Sequence, residues 1–123
     1  MDIRDDYRYT KDHEWVSLDD EVACVGITDY AQEQLGEVVY VELPTVGTSL
    51  SEGESFGVVE STKSVSDLYA PMAGEVVEVN SLLIDAPENI NTDPYGNGWM
   101  IKIRVQSGID DLLSPPDYAA LTT

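Results

Sequence analysis

The sequence predicts a mainly β fold punctuated by three short helices. Runs rich in Val, Ile, Thr and aromatic residues recur along the chain, separated by Gly, Pro, Asp and Asn clusters, as short strands joined by turns would be. Residues 99–105 alternate Trp99, Ile101, Ile103 and Val105 with Met100, Lys102 and Arg104, the pattern of a half-buried strand. Residues 56–60 and 65–70 read as two strands around a brief polar break, Ser61-Thr62-Lys63-Ser64, which predicts an antiparallel hairpin with a lysine at its tip.

The remaining elements follow in order. Residues 7–10 suit an edge strand, and Lys11-Asp12-His13-Glu14 is a polar break before a strand over 15–18. Asp19 and Asp20 turn the chain into residues 21–27, whose β-branched content makes the hairpin partner. Thr28 can cap a helix, Asp29 complements its dipole and Gly36 can close it in a left-handed conformation, so a helix is expected over 29–35. Residues 37–43 form a strong strand ended by Pro44, residues 46–50 a weaker one, and residues 51–54 a turn into the central hairpin. After a break at 70–74 comes a strand over 75–79. Gly53-Glu54 and Gly74-Glu75 precede strands on either side of Lys63, a faint internal echo. Asn80 can cap a helix over 81–85 that Pro87 ends, and residues 87–98, rich in Asn, Pro and Gly, should be loop. Ser114 followed by Pro115 starts the last helix, over 115–121.

The 123 residues fit one domain, 1–123, large enough to bury a core without disulfides. With 24 acidic and 6 basic residues the net charge is −18, which argues against nucleic acid and anionic membranes as partners and favours basic protein surfaces. Such acidity also resembles proteins adapted to concentrated salt. Cys24 is the only cysteine, so no internal disulfide or zinc cluster is expected, and it reads as core filler in a reducing compartment. The first residues, Met1-Asp2-Ile3-Arg4-Asp5-Asp6, resemble neither a signal nor a transit peptide; a soluble cytoplasmic protein is expected. His13 lacks a recognisable catalytic constellation and is assigned to packing or local hydrogen bonding.

Lys63 carries the chemistry. An exposed ammonium on a four-carbon stem is one an enzyme can acylate, and the acyl group then rides on a tether. Most lysines between strands are solubilising, but this chain has three lysines in all, Lys11, Lys63 and Lys102, and charge alone would not select one for this tip. Schiff-base catalysis would need burial or a cationic neighbour to lower the lysine pKa, and Glu60 and Asp67 act in the opposite direction.

Several linked motifs resemble the H-protein of the glycine cleavage system, a lipoyl carrier, over nearly the whole chain. They are Tyr9-Thr10-Lys11-Asp12-His13-Glu14-Trp15, Val25-Gly26-Ile27-Thr28-Asp29-Tyr30-Ala31, Leu35-Gly36-Glu37-Val38-Val39, Val41-Glu42-Leu43-Pro44, Gly57-Val58-Val59-Glu60-Ser61, Val65-Ser66-Asp67, Ala70-Pro71 and Pro94-Tyr95-Gly96. The resemblance implies two antiparallel sheets in a barrel-sandwich hybrid, with lipoate held as an amide on Lys63. It departs from the family beside the lysine, where Thr62 and Ser64 stand in place of the more usual Val or Ile and Ala.

The same resemblance implies a carrier rather than an enzyme; a monomer is expected. The aminomethyl group of glycine would be loaded by a pyridoxal-phosphate glycine decarboxylase and passed by an aminomethyltransferase to tetrahydrofolate. Dihydrolipoamide dehydrogenase would reoxidise the arm, and lipoyl-attaching enzymes would install it. A labile amine on the arm is best held in a cleft against a carboxylate, for which Glu14 and Asp67 are the candidates. A biotin carrier would have methionines beside the lysine, and a 2-oxoacid dehydrogenase lipoyl domain would lack the His13-Glu14-Trp15 region and the last helix. A lipoyl-relay protein and an unlipoylated acidic interaction module remain as alternatives.

Overall fold

A computed structural model describes residues 2–122. In chain order the elements are β1 (Arg8–Tyr9), β2 (Glu14–Asp19), β3 (Val22–Ile27), α1 (Asp29–Leu35), β4 (Val38–Glu42), β5 (Ser49–Leu50), β6 (Ser55–Ser61) and β7 (Val65–Tyr69). They continue with β8 (Ala73–Val79), α2 (Leu82–Asp85), α3 (Asn89–Thr92), β9 (Ile101–Ser107), a 3-10 turn (Ile109–Asp111) and α4 (Pro115–Leu121). Two antiparallel sheets result: six strands in the order β1-β2-β3-β9-β8-β5, and three in the order β4-β6-β7.

The sheets close on a shared core. Val16, Val25, Val76, Ile101 and Ile103 of the large sheet are buried with Val41, Phe56, Val59 and Leu68 of the small one. Burial of such side chains stabilises by roughly 1.5–3 kcal/mol each against leaving them exposed. A second cluster is aromatic. Tyr9, Trp15, Tyr95 and Tyr118 are buried together, with Tyr9 stacked on Tyr118 at 4.6 Å and the Trp15 indole donating to the Pro94 carbonyl at 2.9 Å. Trp15 lies across from Gly26 on β3, and a Cβ there would come within 2.7 Å of the indole; the glycine is what gives the tryptophan its bed.

Helix α1 spans the expected residues, with Thr28 Oγ1 accepting from the Ala31 N–H at 3.1 Å as its cap. At its other end Gly36 has φ +81° but ψ −156°, which lies outside the left-handed helical basin in a region only glycine occupies comfortably. Helix α4 also keeps its expected span, with Ser114 Oγ accepting from the Asp117 N–H at 3.3 Å.

Other expectations are corrected. Glu21 belongs to the turn before β3, and the weak strand over 46–50 shrinks to Ser49 and Leu50, because Gly47, at φ +98°, turns the chain beside Thr45 and Thr48. Asn80 does not cap α2; its side-chain amide is buried and donates to the carbonyls of Asn97 and Trp99 instead. The Asn-rich stretch 87–98 contains α3, which Asn91 fixes by donating to the Gly36 carbonyl and accepting from the Val38 N–H. The alternation over 99–105 breaks at its start, where Met100 is fully buried and Trp99 half-buried, both outside β9. The two Gly-Glu pairs are not equivalent: Gly53 makes a turn at φ +83°, whereas Gly74 lies within β8, paired with Leu50 and Val105.

Candidate functional site

The hairpin of β6 and β7 places Lys63 at the exposed end of the three-stranded sheet, with Glu60 opposite Val65 and Val58 opposite Asp67. Neither Thr62 nor Lys63 has a positive φ, so the tip is not one of the primed two-residue turns. Ser61 closes it instead. The Ser61 hydroxyl oxygen accepts from the N–H groups of Lys63 at 3.3 Å and Ser64 at 3.1 Å, while the Ser61 N–H donates to the Ser64 carbonyl at 2.8 Å. A hydroxyl bonding its own chain two and three residues on is the device by which serine stabilises turns. The Thr62 N–H donates to the Glu37 carbonyl at 3.0 Å, fastening the tip to the link between α1 and β4.

From this tip the lysine stem lies over Gly36, its Cε 3.3 Å from where a side chain at that position would begin. Among the described residues the ion pairs are Arg4 with Asp2 and Lys102 with Glu78, so the Lys63 ammonium is not tied down by a carboxylate. It is exposed to solvent.

Beside the hairpin is a cleft of about 390 Å³. The turn before β2 contributes Asp12 and His13, and the start of β2 Glu14; α1 contributes Tyr30, Ala31, Gln34 and Leu35; the hairpin contributes Val59, Ser64, Ser66, Asp67 and Leu68. Its lining mixes apolar side chains with carboxyl groups and hydroxyls. Glu14 and Asp67, singled out from sequence as separate candidates, both line it. A second cleft of about 400 Å³ also borders Glu14 and Asp12, and takes in Thr10, Lys11, Glu52 and Pro71.

Glu14 is 2% exposed. Thr10 donates from its hydroxyl to Oε1 at 2.5 Å, and the Tyr69 N–H donates to Oε2 at 3.4 Å. Burial pushes the Glu14 carboxyl up to about 7; the two hydrogen bonds oppose that and the charge of Asp12 adds to it. Near neutral pH the group is therefore poised between acid and carboxylate, and an arriving cation would draw it toward the carboxylate. Asp67 is exposed on the edge strand β7, its Oδ1 accepting from Ser55 Oγ at 3.5 Å.

His13 packs as expected, but its side-chain hydrogen bond is to the far end of the chain rather than local. It adopts φ +70° where the chain folds back from β1 into β2, its ring lies 4.8 Å from Tyr30, and its Nδ1 is 2.9 Å from the Tyr118 hydroxyl. That hydroxyl is also 2.6 Å from Thr28 Oγ1. Burial pulls the His13 pKa down, with the charge of Asp12 opposing. Sequence reasoning did not find Thr10, Tyr30 or Tyr118. Thr10 stands four residues before Glu14 and could have been read as its local donor; nothing in the sequence joins Tyr118 to His13 across 105 residues. Cys24 is half-buried outside the cleft, its thiol pushed up to about 11 mainly by burial.

Among the described residues no helix is long and apolar enough to cross a membrane. The sequence profile of the glycine cleavage H-protein family matches residues 7–123. The glycine cleavage system H protein of Anaeromyxobacter sp. (strain K) is 58% identical over 120 residues, covering 98% of this chain and 93% of that protein. The probable glycine cleavage system H protein of Haloarcula marismortui is 56% identical, covering 96% of this chain and 94% of that one. The crystal structure of a glycine cleavage system H protein from Mycobacterium marinum superposes with a TM-score of 0.91 at 47% identity, covering 96% of this chain and 97% of that one. With the profile spanning almost all of the sequence and full-length relatives above half identity, the chain belongs to the glycine cleavage H-protein family.

Proposed function

We propose that Lys63 carries lipoate as an amide and that the arm shuttles the aminomethyl group of glycine. Membership of the family makes the chain a carrier in the glycine cleavage system and not an enzyme. The observation that carries the rest is one unpaired, exposed lysine at a serine-closed hairpin tip, next to a cleft lined by apolar side chains and carboxyl groups. These residues fit lipoate: the lysine offers the amine for the amide, and Ile27, Leu35, Val59 and Leu68 offer a surface for its hydrocarbon. When attached, the group supplies the disulfide and thiols on which the one-carbon unit travels.

In this reading Glu14 and Asp67 receive the ammonium of the loaded arm, and exclusion of water by the cleft lengthens the life of the cargo. Tethering raises the effective concentration of the arm at each partner without a tight complex. A pyridoxal-phosphate glycine decarboxylase, an aminomethyltransferase acting on tetrahydrofolate, dihydrolipoamide dehydrogenase and a lipoyl-attaching enzyme are the partners this assigns, met by a cytoplasmic monomer whose charge of −18 steers encounters with basic surfaces. The intact mass of protein taken from its native source tests the reading. A lipoyl increment on a peptide containing Lys63 supports it; unmodified or biotinylated chains would overturn it.

A further inference from the structure

The hydrogen-bond chain behind the cleft fixes the state of His13. Thr28 and Tyr118 are both fully buried, so each hydroxyl hydrogen needs an acceptor inside the protein. Thr28 Oγ1 already accepts from the Ala31 N–H, and the acceptor within reach of its own hydrogen is the Tyr118 oxygen at 2.6 Å. Thr28 therefore donates to Tyr118. Tyr118 must then donate onward, and its other partner is His13 Nδ1 at 2.9 Å. Nδ1 is thus an acceptor and the ring hydrogen sits on Nε2. The reverse order, from Nδ1–H through Tyr118 to Thr28, would leave the buried Thr28 hydrogen without an acceptor.

We infer that Tyr118 holds His13 as a neutral imidazole of fixed tautomer, whose Nε2–H is a hydrogen-bond donor to the sulfur end of an acyl arm seated in the cleft. With Nδ1 committed to Tyr118, Nε2 is the polar atom His13 can offer there. The charged groups around it are Asp12 on the same turn, Glu14 at the start of β2 and Asp67 on β7, while Tyr30 of α1 and Tyr118 of α4 pack on the ring. The acids can receive a cationic end of the arm and cannot receive its sulfur lone pairs when ionised. The amide of such an arm stays near Lys63, and its hydrocarbon has no acceptor, so sulfur is the lone-pair group the arm offers away from the lysine. Burial, which opposes protonation of His13, acts in the same direction as the tautomer. Tyr118 is accordingly a positioning residue, delivered from the far end of the chain by α4.

The sulfur contact rests on the reading of Lys63 as a lipoyl site, whereas the tautomer does not, and the two are measured separately. Ring 15N NMR of the full unacylated chain, at a pH where imidazole is neutral, should show a single tautomer with hydrogen on Nε2. A mixture, or hydrogen on Nδ1, would overturn the assignment. Tyr118→Phe keeps the ring stacked on Tyr9 and removes the donor, so it should give a mixture, and Thr28→Ser should retain the wild-type spectrum; an unchanged tautomer in Tyr118→Phe would remove Tyr118 from this role. The Nε2 and Hε2 resonances are then compared between chains carrying lipoyl-Lys63 and octanoyl-Lys63, acylation having been verified by mass. A shift with the lipoyl arm beyond that with its sulfur-free counterpart is expected, and equal spectra would overturn the sulfur contact.

Discussion

The carboxyl of Glu14 and the backbone N–H of Tyr69 meet at 3.4 Å across 55 residues of sequence. This bond ties the first long strand of the large sheet to the strand that leaves Lys63, so the acid in the cleft and the lysine at the hairpin tip belong to one framework. It also places a buried carboxyl where burial dominates its ionisation.

The pH dependence of stability should report that burial. Glu14 titrates at about 7 when folded against an ordinary value of 4.5, so between those values the folded chain holds a proton that the unfolded chain has released. Stability therefore has its full Glu14 contribution below 4.5 and loses it as pH rises through about 7. The loss is on the order of 3 kcal/mol at most. Glu14→Gln removes this slope, and the difference in denaturation midpoint between the two proteins, followed from acid to neutral pH, should change sign or shrink in that window. A difference independent of pH would contradict the ionisation assigned to Glu14.

Cargo protection is tested on the loaded form. Glu14→Gln and Asp67→Asn should accept lipoate normally and release ammonia and formaldehyde from the aminomethyl arm faster than wild type. Equal lifetimes in both variants would remove the cleft acids from this role.

Ser61 makes a separable prediction. Ser61→Ala deletes the hydroxyl that closes the tip, but the Lys63 and Ser64 N–H groups it frees can turn to water. Stability should fall by about 1 kcal/mol or less. The rate of enzymatic lipoylation should drop, because the lysine is no longer presented on an ordered turn. A rate equal to wild type at saturating ligase would show that the enzyme does not read the tip geometry.

The charge balance predicts a response to salt. Repulsion among 24 acidic residues offset by 6 basic ones is concentrated in the compact state and screened by ions. Raising potassium chloride from dilute to molar should therefore lift Tm, by roughly 5–10 °C for a gain of about 1–2 kcal/mol. A flat Tm would contradict an adaptation to concentrated salt.

Strands and the two capped helices were legible because their signals are local. Thr28, Gly36, Ser114 and Pro115 act within a few residues of themselves, and β-branched runs need only a partner to pair with. Helix α3 was not legible, since Asn91 disfavours helix on its own and the turn is held by bonds to Val38 and Gly36 far away in sequence. Asn80 misled for the same reason, a residue with good capping chemistry drawn to distant carbonyls. Lys63 could be picked out as a residue, and Glu14 and Asp67 as carboxylates. Their convergence on one cleft, the burial of Glu14 and the bracing of His13 by Tyr118 depend on how the sheets and α4 close, which no local pattern encodes.

The most direct test of the carrier assignment is Lys63→Arg, assayed by intact mass and by glycine cleavage with the partner enzymes. Arginine keeps a flexible cation at an exposed tip, so stability should change by no more than about 0.5 kcal/mol. Its guanidinium is not the amine an acyltransferase attacks. The variant should fold, gain no lipoyl mass and support no glycine turnover, with Lys11 and Lys102 unable to substitute. A variant that still carried lipoate, or sustained turnover without it, would contradict the assignment of the arm to Lys63.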